Sequence, residues 1–327
     1  MNVVILAGGH VADEARNAAS RKETEAMAAA LTKGEHQVDV IDASQNVVVS
    51  LQTHRPDICI IAPDACGADG ALQGMLDLLQ VPHVGSGSQT CRIVRAKDAV
   101  PFVAARCGDA SGDELSFEPL ASFVVSQALY QANGSALVAA LEQRVPGGYP
   151  MEVCSEMEPS VLVSTEDELS NALSRATARG TALVRQWVEG VALSVCVLGT
   201  GWDAHVLPPV EVVRQDADAT ASSDGSATAA AFLPGYDLFA PVRQESLSSD
   251  KGVAQAIRSE IERVAFDVCL ALGARDCAVV ELIWDGAQVR FVDIDCVPEM
   301  SEGSVFSEAC KAAGLSIEGV LDRLVSL

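Results

Sequence analysis

The chain has 327 residues, enough for two or three compact domains, and 49% of them are hydrophobic with few aromatics. Its 22 basic against 45 acidic residues give a formal net charge of −23, a surface that repels phosphate polymers and anionic membranes and so argues against nucleic-acid and membrane partners. No run of 18 apolar residues is present to span a bilayer, and the opening Met1-Asn2-Val3-Val4-Ile5-Leu6-Ala7 lacks a basic leader and reads as a first strand, so the expected location is cytoplasmic.

The apolar run over 2–7 closes on Gly8-Gly9, and a helical pattern covers about 13–32 before Gly34. Strands are expected at Val38–Asp42, Ile58–Ala62 and Val81–Val84, with a helix over Ala71–Leu79. Strand alternating with helix predicts a parallel, doubly wound sheet covered on both faces. A second, α+β unit follows from about 98 to 190. There Thr165 and Glu168 form a capping box, Gly180 supplies a helix stop, and Leu183–Val188 reads as a strand. Residues 214–231, rich in Ala, Asp, Ser and Thr without periodicity, read as a long loop. The last part holds a helix over 252–272, two strands around Asp285-Gly286, and helices after 303. Ten cysteines without any C-x-x-C pair lie mostly in apolar patterns and read as small hydrophobes, not as disulfide or zinc ligands.

Two hairpin registers are possible around Asp285-Gly286. A two-residue turn pairs Glu281 with Arg290 and separates Glu281 from Asp293. A three-residue loop pairs 283 with 287 and 281 with 289, placing Glu281, Asp293 and Asp295 on one face and Val280, Leu282, Val292 and Ile294 on the other. The second divides acidic from apolar residues and is preferred. Three carboxylates on one face suit Mg²⁺ bound with substrate phosphates, the alternative being an ordinary solvated face. Ser304, opening a helix, is placed to meet an anion.

Asp69-Gly70-Ala71-Leu72-Gln73-Gly74-Met75-Leu76, followed by Val84-Gly85-Ser86-Gly87 and Lys97, resembles the junction between the first two domains of the D-alanine–D-alanine ligases, members of the ATP-grasp superfamily. The resemblance runs through the chain in the right order. It implies an ATP-grasp fold with an N-terminal α/β domain over 1–97, a central α+β domain over 98–188 and a C-terminal α+β domain over 189–327. In that family ATP and Mg²⁺ activate one amino acid as an acyl phosphate for attack by the amine of a second, in peptidoglycan precursor synthesis. Carried onto this sequence, Lys97 contacts ATP, and Gln186, Trp187 and Val188 belong to the nucleotide hinge. Glu281, Asp293 and Asp295 stand at the metal ligands, and Asp13 and Ser304 at the substrate contacts. A homodimer through the first domain is implied as well.

Other family positions are changed. Val279 stands where an arginine stabilises the oxyanion, and Cys154 where a second lysine holds phosphate. Arg185 opens the hinge in place of glutamate, and Ala192 replaces the ribose-binding glutamate. The glycine-rich lid becomes Glu156-Met157-Glu158-Pro159-Ser160, and no lysine occurs between Lys97 and Lys251, leaving Arg144 and Arg185 as cations for a phosphate. Two readings follow: an ATP-dependent amino-acid ligase, or a degenerate homologue that keeps the scaffold, binds ATP weakly or not at all, and acts as a partner or regulatory protein.

Overall fold

The computed structural model describes residues 1–8, 14–44, 46–63, 65–106, 117–155, 160–178, 180–214 and 237–326. At the N-terminus β1 (Asn2–Ala7), β2 (Gln37–Asp42) and β3 (Ile58–Ile61) form a parallel sheet in the order β2-β1-β3. Side chains alternate across β1. Val3, Ile5 and Ala7 pack on Met27 and Leu31 of α1 (Glu14–Lys33). Val4 and Leu6 face the opposite way, toward α2 (Val47–His54) and α3 (Ala71–Leu79). Both faces are thus covered, as a doubly wound sheet requires. The expected strand at Val81–Val84 is reduced to one isolated bridge between Cys59 and His83. Pro82, lacking an N–H, cannot extend the ladder.

After α4 (Ser88–Arg95), α5 (Val100–Arg106) and the two-residue β4 (Glu118–Pro119) comes a four-stranded antiparallel sheet. Its strands are β5 (Ser122–Ser126), β6 (Met151–Ser155), β7 (Val161–Val163) and β8 (Thr181–Gln186), ordered β5-β8-β6-β7. One face packs on α6 (Gln127–Arg144) and α7 (Glu166–Ala178) through Met151, Val153, Ala182 and Val184. At the start of α7 the Glu168 N–H donates to Thr165 Oγ1 at 3.3 Å, but the Glu168 carboxylate takes the Ser164 N–H, one residue before the cap of a capping box. Strand β8 begins and ends two residues earlier than the pattern suggested, so Trp187 and Val188 lie beyond it.

The largest sheet takes β9 (Val191–Leu198), β10 (His205–Val206), β11 (Val210–Arg214), β12 (Asp237–Pro241), β13 (Cys277–Trp284) and β14 (Val289–Asp295), in the order β12-β11-β9-β13-β14-β4 with β10 beside β9. After the short α8 (Gln244–Leu247), α9 (Lys251–Leu272) covers one face, burying Ile261, Val264 and Val268 against Val195, Val280, Leu282 and Phe291. Toward the other side α10 (Val305–Ala312) and α11 (Ile317–Val325) join the core shared with α1. The residues read as a loop over 214–231 lie, from 215 onward, outside the described residues. None of the described helices is long and apolar enough to cross a membrane.

The β13–β14 hairpin departs from both expected registers. Trp284 pairs with Val289 and Ile283 with Arg290 around a loop closed by the Asp285 N–H on Gln288 O. A bulge then shifts the ladder by one, so that Glu281 faces Asp293 and Val279 faces Asp295. The three acids do share a face, but through the bulge and not through a three-residue turn. Val292, the residue the bulge inserts, packs with Ile283 and Leu120, and Phe291 takes the core position.

Segment 84–90 is fastened to the C-terminal sheet by three side chains. Gly85 N donates to Asp276 Oδ2 at 2.8 Å, Arg275 N to Ser86 Oγ at 3.0 Å, and Thr90 Oγ1 to Leu272 O at 3.0 Å. Gly70 sits at φ +109, where a Cβ would lie 2.6 Å from the backbone oxygen of Ser88. Both the conformation and the close approach demand glycine. Gly70→Ala should therefore lower unfolding free energy by about 2 kcal/mol or more. Urea denaturation checks this, and an unchanged midpoint would show that the approach to Ser88 carries no strain.

Candidate functional site

A cleft of about 710 Å³ opens where the N-terminal layer meets the C-terminal sheet, lined by Asp69, Arg95, Lys97, Glu281, Asp293 and Asp295. It shares Arg95, Lys97, Glu281 and Asp293 with a second cavity of about 510 Å³ that runs under the central sheet along Val124, Cys154, Leu183 and Arg185. The alternation of two sheets creates this space. On β6 and β8, Met151, Val153, Ala182 and Val184 turn to the helices, so Cys154, Leu183 and Arg185 turn to the cavity. On β13, Cys277 and Val279 are covered by the core around Phe306, and two residues on, Glu281 emerges at the cleft.

Lys97 is the centre of this arrangement. Its ammonium lies 2.8 Å from both carboxylate oxygens of Asp293 and 3.4 Å from Ile294 O. Burial works against the Lys97 charge, but Asp293, joined by Asp295 and Glu281, raises the pKa above the ordinary lysine value. One ammonium cannot serve three acids. Burial first, and then the neighbouring Asp293, push Glu281 up to about 8, against the opposing pull of Lys97 and Arg185. Asp295 lies exposed at the end of β14, and its Oδ1 accepts the Val297 N–H at 2.9 Å.

The three acids share a face without meeting at a point. Among the described residues, no three His, Cys, Asp or Glu side chains are grouped to hold a metal ion. Asp293 is engaged by Lys97 and by the Ile294 N–H, and Asp295 by Val297. Their oxygens have the chemistry that Mg²⁺ prefers, but with Asp293 bound to Lys97 and the three acids not gathered around one point, this arrangement does not fit the ion.

The other expected residues are scattered. Trp187 and Val188 line a separate cavity of about 550 Å³ with Ala192, Glu211 and Ile283. Gln186 ends β8, where its N–H donates to Ala121 O. Ser304 lines neither main cavity: it is buried and caps α10 by accepting the Ser307 N–H at 3.2 Å. Asp13 and residues 156–159 lie outside the described residues. Val279 is buried among apolar neighbours, with no polar group to offer.

Two contacts escape sequence reasoning. Arg185 is taken by Glu152, its partner across β6 and β8, which accepts from Nε at 2.9 Å and Nη2 at 2.6 Å. A lone glutamate in the alternating run Met151-Glu152-Val153-Cys154 was the available signal. The second is Glu23 on α1, whose Oε1 accepts the Met300 N–H at 3.1 Å and ties the loop before Ser304 to the first helix. No local pattern announces a bond between residues so far apart in the chain.

Comparison with known proteins places these positions in context. Residues 119–326 match the family model described as the D-ala D-ala ligase C-terminus. The D-alanine–D-alanine ligase of Desulforudis audaxviator is 27% identical over 331 residues, covering 99% of this chain and 97% of that protein. The ligase of Halalkalibacterium halodurans is 25% identical over 336 residues, covering 100% and 99%. Among solved structures, the D-alanine–D-alanine ligase from Bacillus anthracis complexed with ATP superposes with a TM-score of 0.74 at 15% identity, covering 100% of this chain and 96% of that one. The VanG D-Ala:D-Ser ligase from Enterococcus faecalis gives 0.69 at 15% identity, covering 100% and 99%. The fold is therefore the ATP-grasp architecture that the motifs implied.

The charge balance of the cleft has a measurable consequence. Glu281 titrates at about 8 when folded and near 4.5 as a free side chain. Between those values the native state holds the extra proton, so this group's contribution to stability declines as pH rises from about 4.5 to about 8. Glu281→Gln should flatten that decline and leave the variant up to about 4 kcal/mol more stable than its parent at pH 8, with little difference at pH 4. Thermal melts across this range test it, and parallel curves for the two proteins would refute it.

Proposed function

The chain belongs to the D-alanine–D-alanine ligase family, and from that premise we propose that it keeps the ligase scaffold without the ATP-driven joining of two amino acids, acting as a partner or regulatory protein. The observation that carries this reading is the state of Lys97 and Arg185, which line the two cavities together with Arg95. Lys97 is held by Asp293 at 2.8 Å and Arg185 by Glu152 at 2.6 Å. A triphosphate must displace carboxylates of the chain itself, which pay no translational entropy to stay in place. It must do so inside a protein of net charge −23. Cys154 and Val279 stand at the other two cation positions, and neither side chain carries a positive charge. Absence of an oxyanion donor alone costs about 10²–10³ in rate.

The competing reading is an active ligase of peptidoglycan precursor synthesis. It is supported by Lys97 and three carboxylates lining one 710 Å³ cleft, where Lys97 would meet ATP once released from Asp293. Mg²⁺ belongs to that reading, and Glu281, Asp293 and Asp295 would have to rearrange to hold it.

Two measurements separate the readings. Calorimetry and thermal melts with Mg·ATP at millimolar concentration should show no binding heat and no rise in Tm, since any ligand selective for the native state must stabilise it. Phosphate release should not respond to D-alanine. Turnover dependent on D-alanine, or saturable Mg·ATP binding, would sink the proposal in favour of the active ligase.

A further inference from the structure

The Glu152–Arg185 pair occupies an unusual place for a buried salt bridge. Both residues are buried, at 2% and 6% exposure, yet they belong to the cavity-facing row of the central sheet and not to its helix-packed core. Arg185 lines the 510 Å³ cavity, with Asp293 across from it among the charges that act on it, while Glu152 holds the guanidinium from the adjoining strand. The carboxylate uses one oxygen only. Oε2 accepts from both Nε and Nη2, and Oε1 is buried with no hydrogen-bond partner among the described residues. A pair selected for structural strength would use the fork-to-fork geometry of two parallel bonds and satisfy both oxygens. Here the strand-to-strand register fixes one oxygen against the guanidinium, and the charge of Arg185 is cancelled at the cost of an orphaned acceptor. Nearby Cys154, 3.8 Å from Nη2, adds no charge because burial pushes its thiol up to about 11.

We infer that Glu152 is a specificity-determining residue of the cleft, an internal anion that fills the binding position of Arg185 and closes this wall to multiply charged phosphates. With Glu152 in place the wall between β6 and β8 is electrically neutral and suits uncharged or singly charged ligands. Without that carboxylate, Arg185 becomes a buried cation requiring an anion, and its planar guanidinium matches a phosphate group. This inference rests on the reading of a ligase scaffold that does not grip nucleotide, and it assigns part of that loss to one side chain.

The test uses the full chain with metal-free sodium pyrophosphate as probe, read by calorimetry and by thermal shift. Glu152→Gln should bind pyrophosphate about tenfold or more tightly than the parent, with a matching dose-dependent rise in Tm. The double variant Glu152→Gln/Arg185→Gln should return to the parental affinity, and Glu142→Gln, which removes an equal charge from an exposed helix position, should leave it unchanged. Three results would each overturn the inference: no gain in a folded Glu152→Gln protein, a gain that survives in the double variant, or an equal gain in Glu142→Gln. Should Glu152→Gln fold only in the presence of pyrophosphate, that dependence counts as the expected result. Should it not fold at all, Glu152→Asp takes its place: the charge remains, but the shorter side chain loosens its hold on Arg185. An affinity then equal to the parent's overturns the inference. The two proposals fail separately. Tight Mg·ATP binding by the parent defeats the degenerate-ligase reading, whereas a parent that binds no nucleotide and a Glu152→Gln variant that gains nothing defeat this inference alone.

Discussion

The ion pair between Lys97 and Asp293 governs the geometry of the cleft. It links the turn after α4 to strand β14, two segments nearly two hundred residues apart, at 2.8 Å. Its position is set from both sides. The bonds from Gly85, Ser86 and Thr90 to Asp276, Arg275 and Leu272 fix α4 against the C-terminal sheet. The bulge in β14 turns Asp293 toward Glu281 and away from the core that Phe291 fills. Because Asp293 holds the Lys97 ammonium while Glu281 and Asp295 share the same face, part of the negative charge there is relieved by protonation. The raised pKa of Glu281 expresses it.

The same economy of cations recurs on the opposite wall. Each polar side chain that period-2 alternation directs into the cleft must find a partner or water, since a buried unpaired charge is costly. Lys97 and Arg185 find theirs within the chain, beside Arg95 and the carboxylates of Asp69, Glu281 and Asp295 that also line the cleft. Its volume would admit a nucleotide-sized ligand, and the proposed loss of nucleotide binding rests on the pairing of Lys97 and Arg185. The TM-score of 0.74 reports the layers, while what those layers can hold is decided by the charges inside them.

Much of this was legible in the sequence because it depends on local periodicity. The alternating clusters of β1, the long α9 and the acidic face of Glu281, Asp293 and Asp295 follow from patterns of two and 3.6 residues. What depended on pairing was less visible. The acidic face was read through a three-residue turn, whereas a bulge produces it, since a register shift and a longer loop can yield the same division of side chains. Val81–Val84 has strand composition but only one bridge, because Pro82 limits its ladder. Its place at a helix start makes Ser304 look like an anion contact, whereas its hydroxyl oxygen serves that helix as the cap. Glu152 had no meaning until Arg185 was seen opposite it.

That last contact bears on how a ligase scaffold changes its chemistry without changing its fold. Exchanging a glycine or a core residue alters packing and is felt throughout a sheet. Placing a carboxylate beside a cation on the cavity face leaves the backbone ladder from Met151 to Ser155 intact against β8 and alters only the charge presented to a ligand. Such a carboxylate competes from within, at a distance fixed by strand spacing and independent of ligand concentration. An external phosphate must therefore exceed, by its own contacts, what Glu152 already supplies to Arg185 and Asp293 to Lys97. In a chain with no lysine between Lys97 and Lys251, Arg95 is a further cation lining both cavities, and on the proposed reading discrimination against phosphate would follow from the pairing of the other two.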